Sequence, residues 1–255
     1  EDRISARMRR SRSCGWTHGR TRPRLYERRC KPARATGALM ERSPGQREYV
    51  PLDAWRTYFG GKYQMNDEQL DAYQADQLRL AARWSTPNRE AISAWCRQYH
   101  IPLASHDDAT HDHVLESKGV GSSVAEFPTT EEAARSSREM GLQVLMGAPN
   151  IVRGGSHSGN VAARDLASKG LLDILSSDYY PASLLDAAFR LAADDGIALD
   201  LPAAVALVTR NPAHAIGLTD RGVIAEGKRA DLVLVHQPRE QVYIKNVWAK
   251  GRMVF

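Results

Sequence analysis

His106-Asp107-Asp108 opens a cluster that His111, Asp112 and His113 complete within eight positions, directly after the apolar run Ile101 to Ser105. Imidazole and carboxylate together suit Zn²⁺ or a similar divalent ion, and they also suit acid–base work. His106 is the first candidate for either duty, with Asp107 beside it. His113 falls on a helix start, where capping or exposure to solvent is the plainer reading. A second cluster, Arg153-Gly154-Gly155-Ser156-His157-Ser158-Gly159-Asn160, lies in a loop after the apolar run Leu142 to Met146. Gly154 and Gly155 permit close backbone approach, so that several N–H groups can face one ligand with a helix N-terminus behind them. Arg153 adds a planar donor fork suited to phosphate. Asp178 ends a third apolar run, where an acid is costly unless it holds a metal or moves a proton. Beside a bound metal it can take a proton from an attacking water. Together these groups suit hydrolysis of a phosphorylated substrate, the loop holding phosphoryl oxygens and offsetting charge on the leaving group. Arg47 and Lys62, in earlier glycine-bearing loops, would add positive charge. Taken alone, an ordinary glycine-rich turn with a capping Asp explains the loop as well.

The elements that must position these residues alternate. Asp53 to Tyr58, Asp67 to Ser85 and Arg89 to Tyr99 read as helices, with Asn66 or Asp67 as a cap for the second. Strand 101–105, helix 113–118, strand 121–127, helix 130–140, strand 142–146, helix 159–168 and strand 171–177 follow. Helices 183–194 and 201–209 come next, the latter closed by Asn211-Pro212. Such alternation implies βα units and a parallel sheet, and the polar clusters sit where strands end, the end at which such sheets place their chemistry. After Leu218 the pattern becomes short strands, 222–224, 230–235, 242–247 and 251–255, paired as hairpins.

The net charge of +5 misleads. Residues 1–36 hold twelve basic and three acidic residues, which leaves 23 basic and 27 acidic residues for 37–255 from totals of 35 and 30. A mildly acidic globular protein therefore follows a basic head, and the overall charge gives no ground for a nucleic-acid partner. The head has few large apolar residues and no periodicity, and it reads as disordered. No apolar run approaches the ~20 residues that span a bilayer, so no membrane association is expected. Three cysteines, Cys14, Cys30 and Cys96, have no metal-like spacing, and the cytoplasm is the simplest compartment.

Ser43-Pro44-Gly45-Gln46-Arg47, Leu103 to Asp108, Arg153 to Asn160 and Leu175-Ser176-Ser177-Asp178-Tyr179 closely resemble the phosphonate-metabolism diphosphatases of the carbon–phosphorus lyase pathway, a family of the metal-dependent amidohydrolase superfamily. Asn211 to Val233 resembles the ending common across that superfamily. The resemblance covers residues 37–255. It implies α/β architecture: a partial TIM-like (β/α)₈ barrel, about strands 4–8, over 37–217, and a small C-terminal β-sandwich piece over 218–255. It also implies hydrolysis of α-D-ribose 1-methylphosphonate 5-triphosphate to the 5-phosphate and diphosphate, with a divalent metal, Zn²⁺ foremost. His106 resembles a strand-end metal ligand, and Asp178 the last-strand ligand and base. Arg153, Gly154, Gly155, Ser156, His157, Ser158 and Asn160, with Arg47, are the expected phosphate site, and Glu41 and Asp107 the further metal ligands.

Three departures accompany the resemblance. No His-x-His stands upstream, so the first strands are wanting. Met40-Glu41-Arg42 replaces the family's Met-Asp-His, placing a cation where an imidazole belongs. The head resembles nothing in the family, and its composition reads as out-of-frame translation, which a barrel-like sequence in a shifted frame of the coding DNA would bear out. A chain of this kind is expected to be an impaired fragment. Two other readings remain: another amidohydrolase-type cyclic amidase or deaminase, and a non-catalytic partner protein. Homo-oligomerisation is left open.

Overall fold

The computed structural model describes residues 7–8, 13–16, 36–156, 159–239 and 241–255. The chain divides into two compact units, 1–142 and 143–255, so the division falls inside the 37–217 stretch expected as one domain.

In the first unit, β1 (Arg7–Met8), β2 (Ser13–Trp16), β3 (Thr36–Leu39), β4 (Leu103–His106) and β5 (Val124–Glu126) form a sheet in chain order. β1 is antiparallel to β2, and β2 to β5 run parallel. β1 and β2 lie within the stretch that reads as a head without periodicity. Ladder bonds join backbone groups and ask little of side chains, so a strand can pair without an apolar pattern. The remainder of that head lies outside the described residues. A 3₁₀ turn, Arg47–Tyr49, leads to α1 (Leu52–Tyr63) and α2 (Asp67–Gln98). Tyr49, Trp55, Phe59 and Leu70 form one core between these helices, and Ile92, Cys96 and Leu103 a second against the sheet. Lys62, a candidate surface cation, rests against the Tyr58, Phe59 and Tyr63 rings. α3 (His111–Gly119) and α4 (Glu131–Glu139) follow β4 and β5.

Asn66 caps α2 in a reciprocal box with Gln69. The two helices expected at 67–85 and 89–99 are one. Pro87 lies inside it, where a proline ordinarily removes a hydrogen bond and bends the axis. Tertiary contacts on either side of Pro87 offset this: Ser85 Oγ donates to Glu41 Oε2 at 3.0 Å, and Arg89 pairs with the same carboxylate.

In the second unit, β6 (Gln143–Gly147) pairs in parallel with β7 (Ile174–Ser176). α5 (Ala148–Arg153), α6 (Ala163–Ser168), α7 (Ser183–Ala192), α8 (Leu201–Ala206) and α9 (Arg210–Ala215) surround them, with Val144, Met146, Leu166, Ile174 and Leu191 buried. Asn211-Pro212 opens α9 instead of closing the helix before it; a proline in a first turn gives up an N–H that the helix does not use. β8 (Leu232–His236), β9 (Tyr243–Ala249) and β10 (Arg252–Met253) make an antiparallel sheet. The strand expected at 222–224 is a turn. Gly222 has φ of 93°, and a Cβ there would meet Arg210 Cα at 2.8 Å.

Asp231 ties this sheet together. Its carboxylate accepts from Lys250 N–H at 2.8 Å and pairs with Arg229, in that order the causes that hold its pKa below the ordinary value. A lowered carboxyl pKa stabilises the fold above the unfolded value of about 3.9, and the gain is lost as pH falls through the folded value. Acid titration followed by amide exchange should therefore show β8–β9 opening at higher pH in Asp231→Asn than in the unsubstituted chain; coincident curves would contradict this role.

Candidate active site

His106 ends β4, buried, and its Nδ1 lies 2.6 Å from Asp107 Oδ2. Burial alone lowers the imidazole pKa, but Asp107 outweighs it, with Glu126 adding, and the net shift is upward. Asp107 is thus turned toward its neighbour. A carboxylate against one ring nitrogen fixes the ring and raises its basicity.

The next carboxylate goes elsewhere. Asp108 pairs with Arg47, their side chains 1% and 4% exposed. Ser117 Oγ donates to Asp108 Oδ1 at 3.2 Å. Arg47 also donates from Nη2 to Glu116 Oε2 at 2.9 Å. Arg89 bridges Glu116 and Glu41. Burial, and then Arg89, push the Arg47 pKa down to about 10, which leaves it a cation at neutral pH.

This network bears on two expected site residues. Arg47, expected in the phosphate site, is buried and joins the 3₁₀ turn to α3, its guanidinium paired with Asp108 and Glu116. Glu41 is committed to Arg89 and Ser85, and a carboxylate already neutralised by a guanidinium is a poor cation ligand. The other two imidazoles of the cluster have partners of their own. His113 Nδ1 accepts from Ala109 N–H at 3.3 Å, with its pKa lowered by burial and by Arg47. His111 Nδ1 lies 3.1 Å from Ser136 Oγ. Among the described residues no three ligand-type side chains gather about one point.

In the second unit, Asp178 follows β7 with φ of 44°. It is half-buried, less enclosed than an acid ending a buried run would be. A Cβ built on Gly147, at the end of β6, would lie 3.5 Å from Asp178 Oδ2. The absent side chain at 147 therefore leaves room beside the carboxylate.

The glycine-rich loop begins differently from its reading in the sequence. α5 comes before it, so the two glycines follow a helix C-terminus. Gly154 N–H bonds Ile151 O at 3.2 Å and Gly155 N–H bonds Asn150 O at 2.9 Å. These N–H groups satisfy α5 carbonyls, whereas the sequence reading has them face a ligand. Arg153 is exposed and its Nη2 donates to Gly155 O at 3.2 Å. Asn150, unmarked by any sequence signal, closes the loop: its Oδ1 accepts from Ala163 N–H at 3.0 Å at the start of α6. Ser156 and Asn160 are half-buried in the loop. His157 and Ser158 lie outside the described residues. Gly154 has φ of 87° with nothing within 4 Å of a built Cβ, so its substitution meets conformational cost alone. Gly154→Ala should lose about 1–2 kcal/mol in denaturant unfolding, with Gly154→Asn losing less; an Ala variant at parental stability would contradict the cap.

Arg47, Asp107 and Phe127 in the first unit, and Asp178 in the second, are among the described residues that have positive φ without being glycine. Such conformations cost about 1–3 kcal/mol each and cluster where function constrains the backbone. Phe127, which the sequence reading passes over, places its ring 5.3 Å from that of His106.

The model of the amidohydrolase family matches residues 53–255. The chain belongs to the amidohydrolase family. This amidohydrolase is 59% identical over 243 residues to the alpha-D-ribose 1-methylphosphonate 5-triphosphate diphosphatase of Escherichia coli (strain K12), across 95% of the chain and 64% of that relative. It is 35% identical over 159 residues to an adenine deaminase of Methanothermobacter thermautotrophicus, across 61% of the chain and 26% of that relative. A dihydroorotase of known structure aligns at 14% identity with a TM-score of 0.46, over 95% of this chain and 77% of that one. The amidohydrolase chain thus spans just under two thirds of the E. coli relative's length. A 95% match also exceeds what residues 37–255 supply, so the likeness extends into the basic head, contrary to the expectation that the head resembles nothing in the family. The α/β class holds for this amidohydrolase. Among the described residues no helix is long and apolar enough to cross a membrane.

Proposed function

We propose that this chain carries the chemistry of a diphosphatase that hydrolyses α-D-ribose 1-methylphosphonate 5-triphosphate to the 5-phosphate and diphosphate. The supporting observation is the 59% identity to the E. coli enzyme of that name across 95% of the chain. Water adds across the anhydride between the α- and β-phosphoryl groups, and diphosphate leaves with the bridging oxygen.

In this reading the substrate is a small phosphorylated ribose phosphonate. His106 in the first unit and Asp178 in the second are each assigned as a ligand to a divalent cation such as Zn²⁺, which when bound would supply Lewis acidity to the phosphoryl group. Asp107 braces His106 through Nδ1. Asp178 takes the proton from the attacking water, a role open to a half-buried carboxylate. Arg153, Ser156, His157, Ser158 and Asn160 donate to the departing phosphoryl oxygens, residue types that suit a polyphosphate. Glu41 and Arg47 take no part beyond holding the first unit together.

The test joins the chain to the part of the E. coli relative that it does not span, and assays the purified product with the ribose triphosphate and Zn²⁺. Equimolar diphosphate and 5-phosphate are expected. Ammonia from adenine, with no diphosphate from the triphosphate, would replace this reading with that of a deaminase.

A further inference from the structure

His106 is held from two sides by residues with the same backbone irregularity. β4 and β5 run parallel with His106 opposite Glu126. The residue just past each strand end, Asp107 and Phe127, has a positive φ, 60° and 55°. Aspartate tolerates the left-handed region because its short polar side chain bonds locally, whereas a bulky aromatic there is an outlier. Pro128 follows and further restricts its predecessor. Such a conformation persists only where its surroundings impose it. Here Asp107 N–H bonds Glu126 O at 3.0 Å and Thr129 N–H bonds Asp108 O at 2.9 Å, lacing the two turns together.

The left-handed turns bring both side chains onto one ring. Asp107 puts a carboxylate 2.6 Å from His106 Nδ1. Phe127 stands against the imidazole at 5.3 Å between ring centres, with the planes at 76°, a favoured edge-to-face arrangement. A carboxylate at one nitrogen restrains that nitrogen but leaves the ring free to rock about the contact. An aromatic ring nearly perpendicular to the imidazole restrains its plane.

We propose that Phe127 is a positioning residue for His106, its ring fixing the imidazole plane while Asp107 holds Nδ1. The use of that fixed plane rests on the reading of His106 as a cation ligand; the clamp itself does not. Ring NMR of the histidine-labelled chain tests it without metal, with the His106 signals assigned by their loss in His106→Gln. One sharp set of His106 ring signals is expected in the unsubstituted chain. Phe127→Leu and Phe127→Met, which keep apolar bulk without a ring, should shift and broaden that set, while Phe127→Tyr restores it. Backbone amide spectra separate loss of the clamp from loss of the fold, and two ringless variants guard against one failing to fold. Unchanged His106 signals in a folded ringless variant, no recovery in Phe127→Tyr, or averaged signals in the unsubstituted chain would each overturn the clamp. Sharp signals in a chain that takes up no Zn²⁺ would leave the clamp standing and overturn the cation reading instead.

Discussion

Arg47→Ala is expected to remove about 3–5 kcal/mol from the stability of the unit spanning residues 1–142. The reason is what it leaves behind. Asp108 has a 1% exposed side chain, and its Oδ2 has no hydrogen-bond partner among the described residues, so losing the guanidinium strands a buried charge beside the Ser117 hydroxyl. Glu116 loses one of its two arginines as well, but it is 45% exposed and water can replace the contact. Denaturant unfolding followed by tryptophan fluorescence reads the effect, since Trp55 is buried in the same unit and donates to Arg42 O at 3.1 Å. The double variant Arg47→Met with Asp108→Leu should recover most of the loss, because an apolar pair of similar volume avoids the desolvation cost. A single variant within about 1 kcal/mol of the parent would mean the pair behaves as an exposed one.

The second large effect falls on turnover. Asp178→Asn keeps the shape of the side chain beside Gly147 but removes a carboxylate able to accept a proton. General-base removal costs about 10²–10⁴-fold in rate, and loss of a cation ligand adds to it. Stability should change little, because Asp178 is half-buried. A rate lost together with the fold would make Asp178 structural.

The strand ends were the legible part of this molecule. Leu103 to His106 reads as an apolar run that stops at a polar cluster, and the parallel strands stop there too, since side-chain alternation and composition carry that signal locally. Pro87 shows what local reading misses. A proline at that position says helix boundary, and it is overruled by Glu41, more than forty residues away, which holds Ser85 and Arg89 on either side. Gly154 and Gly155 show a different failure. Paired glycines fit an anion-binding loop and a helix C-cap equally well, and the choice depended on whether Ala148-Pro149-Asn150 formed a helix, with proline near its first position. Arg47 shows what a loop assignment leaves out. A sequence records that a cation is present, but not that Asp108 is buried against it.

Diphosphate release from the ribose triphosphate is the measurement that bears most directly on the proposed activity. With the chain extended by the residues of the E. coli relative that it does not span, and Zn²⁺ supplied, diphosphate should form in equal amount with the 5-phosphate, and Asp178→Asn should abolish it in a protein that still folds. Diphosphate formed at the parental rate by Asp178→Asn, or none formed by the unsubstituted protein, would contradict it.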